Sequence, residues 1–198
     1  MLRRSSILVN SFLQDVEELS EDEFLAKHDT PFLVIPGIDR EAFVSSLQRL
    51  ATELDEQSEL EVPQDDHLVV CLALRPKYGP SMDRITLGRA PTADVVLLDD
   101  TVSKFHAELS WDPTHEKCRV TDNGSRNGTK VSDVRVTPGA SVNLSSGVTV
   151  SLGNVQGKFF APGAFLAWLK NRVGAGLESS WMVELSSEDS NLSASRTM

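Results

Sequence analysis

Residues 105–136 of this chain read FHAELSWDPTHEKCRVTDNGSRNGTKVSDVRV, and this stretch decides the fold. Apolar and polar side chains alternate in its first two runs, 105–112 and 117–122, as they do in a half-buried β-strand. Asn-Gly pairs at 123–124 and 127–128 favour tight turns, because both residue types tolerate a positive φ. The stretch therefore predicts antiparallel strands joined by short connections, with two further strands at 129–131 and 134–136.

The same pattern continues on both sides of this stretch. Short runs rich in Val, Ile, Leu and Thr predict further strands at 67–75, 84–88, 94–98, 147–152 and 156–160. A strand every 8–12 residues or so is typical of an antiparallel all-β sandwich, which we expect over residues 66–160. Pro162 and the apolar residues 165–169 then predict a short C-terminal helix over 161–173. The Ser-rich tail, 174–198, is expected to be mostly disordered.

The first 65 residues have a helical period instead. Apolar side chains between Leu8 and Leu19 are spaced as on one helix face, and Ser20 with Glu23 forms the pattern of a capping box that starts a second helix. A short strand-like run at 32–35 precedes a third predicted helix over 39–54. Seven acidic residues between Glu53 and Asp66 indicate a solvated linker. We therefore expect an acidic, helical N-terminal segment over residues 1–65.

Charge and composition limit the class of protein. The chain has 198 residues, 40% hydrophobic, as ordinary globular proteins have, and a formal net charge of −10. Residues 1–65 hold five basic and 15 acidic side chains, so the whole imbalance lies there and argues against nucleic-acid binding. No apolar run approaches the roughly 20 residues of a membrane span, and no signal-peptide core is present, so a cytoplasmic location is expected.

Residue spacing disfavours a disulfide, a metal site and a catalytic triad. Cys71 and Cys118 fall within predicted strands, where buried apolar thiols are expected instead of a disulfide. His115 and Cys118 make at most half of a zinc site, so we expect no metal and no cofactor. Ser103, His106 and Asp122 could form a catalytic triad in principle, but no nucleophile elbow and no α/β alternation accompany them. We therefore predict that the protein is not an enzyme.

Three blocks of polar residues fall in predicted loops between the strands. They are Gly88-Arg89, then Ser103-Lys104-Phe105-His106, then Ser125-Arg126-Asn127-Gly128-Thr129. A phosphate group of about −1.5 to −2 charge needs several convergent donors, of which at least one is a cation. Arg89 offers a planar fork and Ser103 a hydroxyl, Lys104 and Arg126 add charge, and the Asn127 amide can both donate to and accept from a peptide backbone.

In order and spacing these blocks resemble the forkhead-associated (FHA) family, whose members bind phosphothreonine peptides with loops at one end of an eleven-stranded β-sandwich. The resemblance covers about residues 66–160. It implies a mainly β, FHA-like antiparallel sandwich, here with an N-terminal α-helical segment and a short C-terminal helix. The arrangement is more similar to a bacterial signalling adaptor in a Ser/Thr kinase network than to a eukaryotic checkpoint protein.

The resemblance also assigns roles. It makes Arg89 and Ser103 phosphate ligands, gives Arg126 a further contact near the phosphate, and has Asn127 hold the peptide backbone. Lys104 stands where the family often has Arg or Asn. The resemblance also implies three residues that support the site structurally. His106 would form a hydrogen bond with the loop that carries Ser103, and Gly88 and Gly128 allow close backbone approach or a positive φ. The expected partner is a threonine-phosphorylated protein or peptide, with a Ser/Thr protein kinase as a further candidate, and neither nucleic acid nor membrane.

Two questions stay open at the level of sequence. An FHA fold could serve as a structural interaction module that binds protein surfaces independently of phosphate. The acidic N-terminal segment could cover one face of the sandwich, or it could compete for the basic binding end or be phosphorylated itself, with Thr30, Thr52 and Thr197 as candidate threonines outside the sandwich.

Overall fold

A computed structural model of the chain describes residues 6–39, 41, 44–45, 67–76 and 84–174. The described residues form twelve strands and three helices. The strands are β1 Ser6–Leu8, β2 Phe32–Asp39, β3 His67–Ala73, β4 Ile85–Gly88, β5 Val95–Val96, β6 Ala107–Asp112, β7 Lys117–Asp122, β8 Thr129–Val131, β9 Val134–Arg135, β10 Ser141–Leu144, β11 Thr149–Leu152 and β12 Val155–Phe160. The helices are α1 Asn10–Glu18, α2 Glu21–Lys27 and α3 Pro162–Gly174.

The strands form two sheets that pack face to face. One sheet has the order β1-β3-β2-β12-β11-β8-β9 and the other has the order β10-β7-β6-β4-β5. Every pairing is antiparallel except that of β4 with β5, which is parallel. The inward side chains of the second sheet include Leu87, Leu109 and Val120, and they share one buried cluster with inward side chains of the first sheet such as Leu33 and Val70. The expected β-sandwich is confirmed. Without the short strand β1 it has eleven strands, the number that the resemblance implies.

The helices cover the outer face of the seven-stranded sheet. Phe12 of α1, Phe32 of β2 and Phe165 of α3 meet there, with ring centroids 4.1–5.4 Å apart. They belong to a second buried cluster that also contains Phe24 of α2 and Phe160 of β12. Aromatic pairs in such geometries stabilise a core beyond the area that they bury. The N-terminal helices and α3 thus form a third layer on the sandwich.

The predicted helix boundaries are largely confirmed. Ser20 caps α2, since its hydroxyl accepts from the Glu23 backbone N–H while the Glu23 carboxylate accepts from the Ser20 backbone N–H. An ion pair between Lys170 and Glu21, 3.0 Å apart, joins α3 to α2.

The two cysteines are buried free thiols, as the sequence predicts. Burial raises the pKa of the Cys118 thiol to about 12.

The helical description of residues 1–65 was incomplete. Residues 32–39 form β2, which lies between β3 and β12 in the middle of the seven-stranded sheet. Residues 6–8 form β1, which pairs with β3. The boundary predicted near residue 65 therefore separates strands that are hydrogen-bonded neighbours. Thr30 is buried, which removes it from the candidate phosphorylation sites.

Other predictions fall on residues outside the described ranges. They include most of the helix predicted over 39–54, the acidic linker and the tail from residue 175. Within the described ranges no helix is both long enough and apolar enough to cross a membrane.

Candidate functional site

Arg89 lies directly after β4 and is held by the loop that carries Ser103. Its backbone N–H donates to the Ser103 carbonyl at 2.9 Å, and its side-chain Nε donates to the Val102 carbonyl at 3.3 Å. The side chain is otherwise exposed, and its two terminal nitrogens make no hydrogen bond to any described residue. The Nε contact therefore orients the guanidinium while leaving the terminal nitrogens available to a ligand.

Gly88 brings these two loops into direct backbone contact. A Cβ atom placed on Gly88 would lie 2.1 Å from the Lys104 carbonyl oxygen and 2.7 Å from its carbonyl carbon. Real Cβ atoms do not approach backbone so closely, so any other residue would force the loops apart. The role expected for Gly88, close backbone approach, matches this geometry.

Ser103 connects the second and third loops. Its hydroxyl oxygen accepts from the Arg126 backbone N–H at 3.0 Å. Because the Arg126 N–H supplies the donor in that bond, the hydroxyl hydrogen can still donate to a phosphate oxygen. Ser103 is partly exposed, so a ligand can reach it.

His106 is fully buried beneath the site and bridges two of its loops. Its Nδ1 accepts from the Ser103 backbone N–H at 3.1 Å, so the proton lies on Nε2, which donates to the Gly128 carbonyl at 3.2 Å. Burial lowers the pKa of His106, although the Gly128 bond and the charge of Asp122 act in the opposite direction. Because both ring nitrogens are engaged with backbone groups, the imidazole is not positioned to take a proton from Ser103.

Asp122 organises the loop that presents Arg126 and Asn127. Its Oδ1 accepts from the hydroxyls of Ser125 at 2.6 Å and Thr129 at 2.8 Å. Its Oδ2 accepts from the backbone N–H groups of Ser125 and Gly124, both at 3.0 Å. Burial would raise the pKa of this carboxyl, but these four hydrogen bonds outweigh it and lower the pKa overall. The buried carboxylate thus fixes the loop from inside.

Asn127 is oriented by a second acidic residue through the backbone of Thr101. Its side-chain Nδ2 donates to the Thr101 carbonyl at 2.6 Å, which leaves the amide oxygen to accept from a ligand. Asp99 holds Thr101 in turn, because its carboxylate accepts from the Thr101 backbone N–H at 2.8 Å and from the Thr101 hydroxyl.

The structure brings most of the predicted site residues together. Hydrogen bonds link the Arg89, Ser103 and Arg126 positions, and Asn127 follows Arg126 directly. The side chains of Lys104 and Arg126 are exposed, and neither makes a side-chain hydrogen bond or ion pair with a described residue. Gly128 has a φ of +83°, the positive value expected of it. The binding roles of the five polar residues stay predictions.

Sequence reasoning missed the acidic residues that position the loops. Asp122 entered only as a rejected triad member, and Asp99 and Thr101 were not considered. A signal was present in both cases, because Asp122 stands three residues before Ser125 and Asp99 stands two before Thr101, spacings at which an Asp side chain caps a turn. Among the described residues, no group of three His, Cys, Asp or Glu side chains is placed to hold a metal ion.

Substitution of Gly88 by alanine tests the contact between the first two loops. We expect Gly88→Ala to lower the free energy of unfolding by about 1–3 kcal/mol, because the new methyl group must displace backbone atoms of Lys104. Urea denaturation followed by tryptophan fluorescence measures the change. Gly163→Ala is the matched control, since a Cβ there would meet no atom within 4 Å apart from its chain neighbours and its own helix backbone, and the stability should hold or rise. Equal stability of the two variants would contradict the close contact.

Comparison with known proteins supports the family expected from the motifs. Residues 85–153, about a third of the chain, match the family model of the FHA domain. A curated relative, the FHA domain-containing protein PS1 of Arabidopsis thaliana, is 33% identical over 75 residues. That match covers 38% of this chain but 5% of the relative, so the chain corresponds to a small part of that protein's length.

Solved structures similar to this chain are FHA domains as well. The FhaA FHA domain, complexed with the intracellular domain of Rv3910, is 28% identical over 41% of this chain and 85% of that one, with a TM-score of 0.36. The FHA domain of the CT664 protein from Chlamydia trachomatis is 19% identical over 66% of this chain and 97% of that one, with a TM-score of 0.41.

The part of the β-sandwich that carries the three loops matches the family model of the FHA domain. The family match runs from the start of β4 to the residue after β11, and it includes every residue of the candidate site.

Proposed function

We propose that this protein binds threonine-phosphorylated segments of partner proteins through the loops after β4, β5 and β7. The observation that carries the proposal is the hydrogen bond from the Arg126 backbone N–H to the Ser103 hydroxyl, in a loop whose backbone also binds Arg89. Two arginines and a hydroxyl that can still donate are thereby joined in one exposed site. A phosphate dianion requires such a set of charged and neutral donors.

Each side chain has a distinct task in this proposal. Arg89 and the Ser103 hydroxyl bind the phosphate oxygens, and Arg126 and Lys104 add positive charge at the rim. Asn127 uses its amide oxygen to accept from a backbone N–H of the peptide, because its amide nitrogen is already bonded to Thr101. His106, Gly88 and Gly128 keep the loops in place and do not touch the ligand.

The biological setting that fits this site is signalling by a Ser/Thr protein kinase, which would create the phosphothreonine. The protein would act as a binding adaptor and not as an enzyme, because the one histidine beside Ser103 is committed to backbone groups. A phosphate-independent scaffolding module on the same fold is the competing function, and the exposed side chains of the rim are compatible with it.

A binding experiment separates the two functions. Isothermal titration of the full chain with a phosphothreonine peptide, its phosphoserine counterpart and the unphosphorylated peptide should give tightest binding to the first. Arg89→Ala should weaken the phosphothreonine affinity about 100-fold, equivalent to ~2.8 kcal/mol, because it removes charge-assisted hydrogen bonds to the phosphate. Arg84→Ala, which removes an exposed arginine at the other end of β4, is the control and should bind as wild type does. Equal affinity for all three peptides would favour the scaffolding function.

A further inference from the structure

Two cations lie side by side on the hairpin that follows the site loop. Lys130 of β8 and Arg135 of β9 are direct cross-strand partners, and both side chains are exposed. Like charges directly opposite each other destabilise an antiparallel pair of strands, so this arrangement has an electrostatic cost in the protein alone.

Arg135 also touches the candidate site itself. A Cβ atom on Gly128 would lie 2.7 Å from Cζ and Nη2 of Arg135 and 2.9 Å from its Nε, so the guanidinium lies against the backbone of Gly128. Gly128 directly follows Asn127, the residue proposed to hold the peptide backbone. The Lys130–Arg135 pair is therefore continuous with the rim of the site.

No carboxylate neutralises this pair within the described part of the chain. Neither Lys130 nor Arg135 has an ion pair or a side-chain hydrogen bond to a described residue, and Asp133 in the hairpin turn pairs with neither cation. The cross-strand neighbour of Lys130 on β11 is Ser151, whose neighbour on β12 is Gln156. These four cross-strand neighbours, one on each of β9, β8, β11 and β12, thus carry two positive charges and no negative one.

We propose that the Lys130–Arg135 pair binds acidic side chains of the same phosphothreonine segment, so that the protein prefers phosphothreonine peptides with Asp or Glu close to the phosphorylated residue. This inference rests on the proposed function. A guanidinium can bind a carboxylate with two parallel hydrogen bonds, and a carboxylate between the two cations would relieve their mutual repulsion. Charge complementarity and contact with the site backbone both favour an acidic continuation of the bound peptide over a separate ligand.

Three phosphothreonine peptides of equal length test the inference. The acidic peptide has Asp and Glu on both sides of the phosphothreonine, and the neutral peptide has Asn and Gln at the same positions. The third peptide adds a phosphoserine beside the phosphothreonine and is otherwise neutral. Fluorescence anisotropy with the full chain should show about tenfold tighter binding of the acidic peptide than of the neutral one, equivalent to ~1.4 kcal/mol. The preference should shrink between 0.05 and 0.5 M salt, because exposed charges are screened.

Variants then assign the preference to residues. In the double variant Lys130→Gln, Arg135→Gln, the acidic and neutral peptides should bind within about twofold of each other. Lys117→Gln removes an exposed lysine from the end of β7 remote from the site loop and should retain the full preference.

Three outcomes would overturn the inference. They are equal binding of the acidic and neutral peptides by wild type, a preference for the acidic peptide that survives in the double variant, and a preference lost equally in Lys117→Gln. A gain confined to the peptide with the added phosphoserine would assign the pair to a second phosphate instead. If wild type bound the neutral phosphothreonine peptide but showed no acidic preference, only this inference would fail. Absence of binding to every phosphothreonine peptide would overturn the proposed function with it.

Discussion

A chain that starts at residue 66, where the sequence predicts the sandwich to begin, is expected not to fold cooperatively. It lacks β2, so β3 and β12 lose the strand that lies between them. Among the described residues, it also lacks seven buried apolar side chains, those of Val9, Phe12, Phe24, Phe32, Leu33, Val34 and Ile35. At about 1.5–3 kcal/mol each, their burial contributes roughly 10–21 kcal/mol, as much as the ~5–15 kcal/mol that stabilises a whole domain.

Circular dichroism during urea denaturation, together with the dispersion of amide signals in NMR spectra, measures this effect. The control chain ends at residue 174 and keeps every element from β1 to α3, so it should unfold in a single sharp transition. A sharp transition of the chain from 66 onwards, at the same urea concentration as the control, would show that β2 and the helical layer are dispensable.

The second large effect is expected at Asp122, whose carboxylate accepts four hydrogen bonds inside the protein. Asp122→Ala removes every acceptor, and if two of the four donors stay without a partner the cost is about 2–6 kcal/mol. Thr129→Val removes one of the donors and leaves the carboxylate in place, so it should cost only ~1 kcal/mol and is the matched comparison. Urea denaturation gives both values, and a loss for Asp122→Ala no greater than that for Thr129→Val would argue against a central role of the carboxylate.

The pH dependence of the stability of wild type and of Asp122→Ala provides a further check. The pKa of Asp122 is lower in the folded protein than the ordinary value of 3.8, so the unfolded chain binds its proton first as pH falls. The stability from this carboxylate is thus fully present above about pH 4 and is lost as pH falls through the lower pKa of the folded state. The difference in stability between wild type and Asp122→Ala should therefore be largest near neutral pH and narrow towards pH 3. A constant difference would contradict an ionised carboxylate as its source.

Much of the fold could be predicted because alternation is a local signal. In the strands β6 and β7, buried side chains alternate with half-buried or exposed ones, as the alternation in the sequence predicts. The edge strand β10 was missed because it has four residues, and only Leu144 among them is buried. The prediction ended β2 at residue 35 because Pro36-Gly37 favours a turn. The strand instead continues to Asp39 through a register shift between Ile35 and Ile38, which accommodates the two residues.

The candidate site could likewise be predicted only in part. Arg89, Ser103 and Asn127 could be named because each lies in a short block of recognisable order and spacing, and because their chemistry is explicit in the residue type. Asp122 could not be separated from a surface carboxylate, since its burial depends on strands that come together only in the folded chain. The sequence predicts strands β8 and β9, but the contact of Arg135 with Gly128 depends on the register of their pairing, which the residue pattern does not specify.

The backbone contact between Gly88 and Lys104 also bears on the rate of recognition. Loops that are already packed together lose little conformational entropy when a ligand binds, so association need not wait for a rearrangement. The rate of encounter would then be set by diffusion and long-range charge, and peptides of different sequence would differ mainly in how long they remain bound. Under the proposed function, the protein would discriminate among phosphothreonine peptides by residence time.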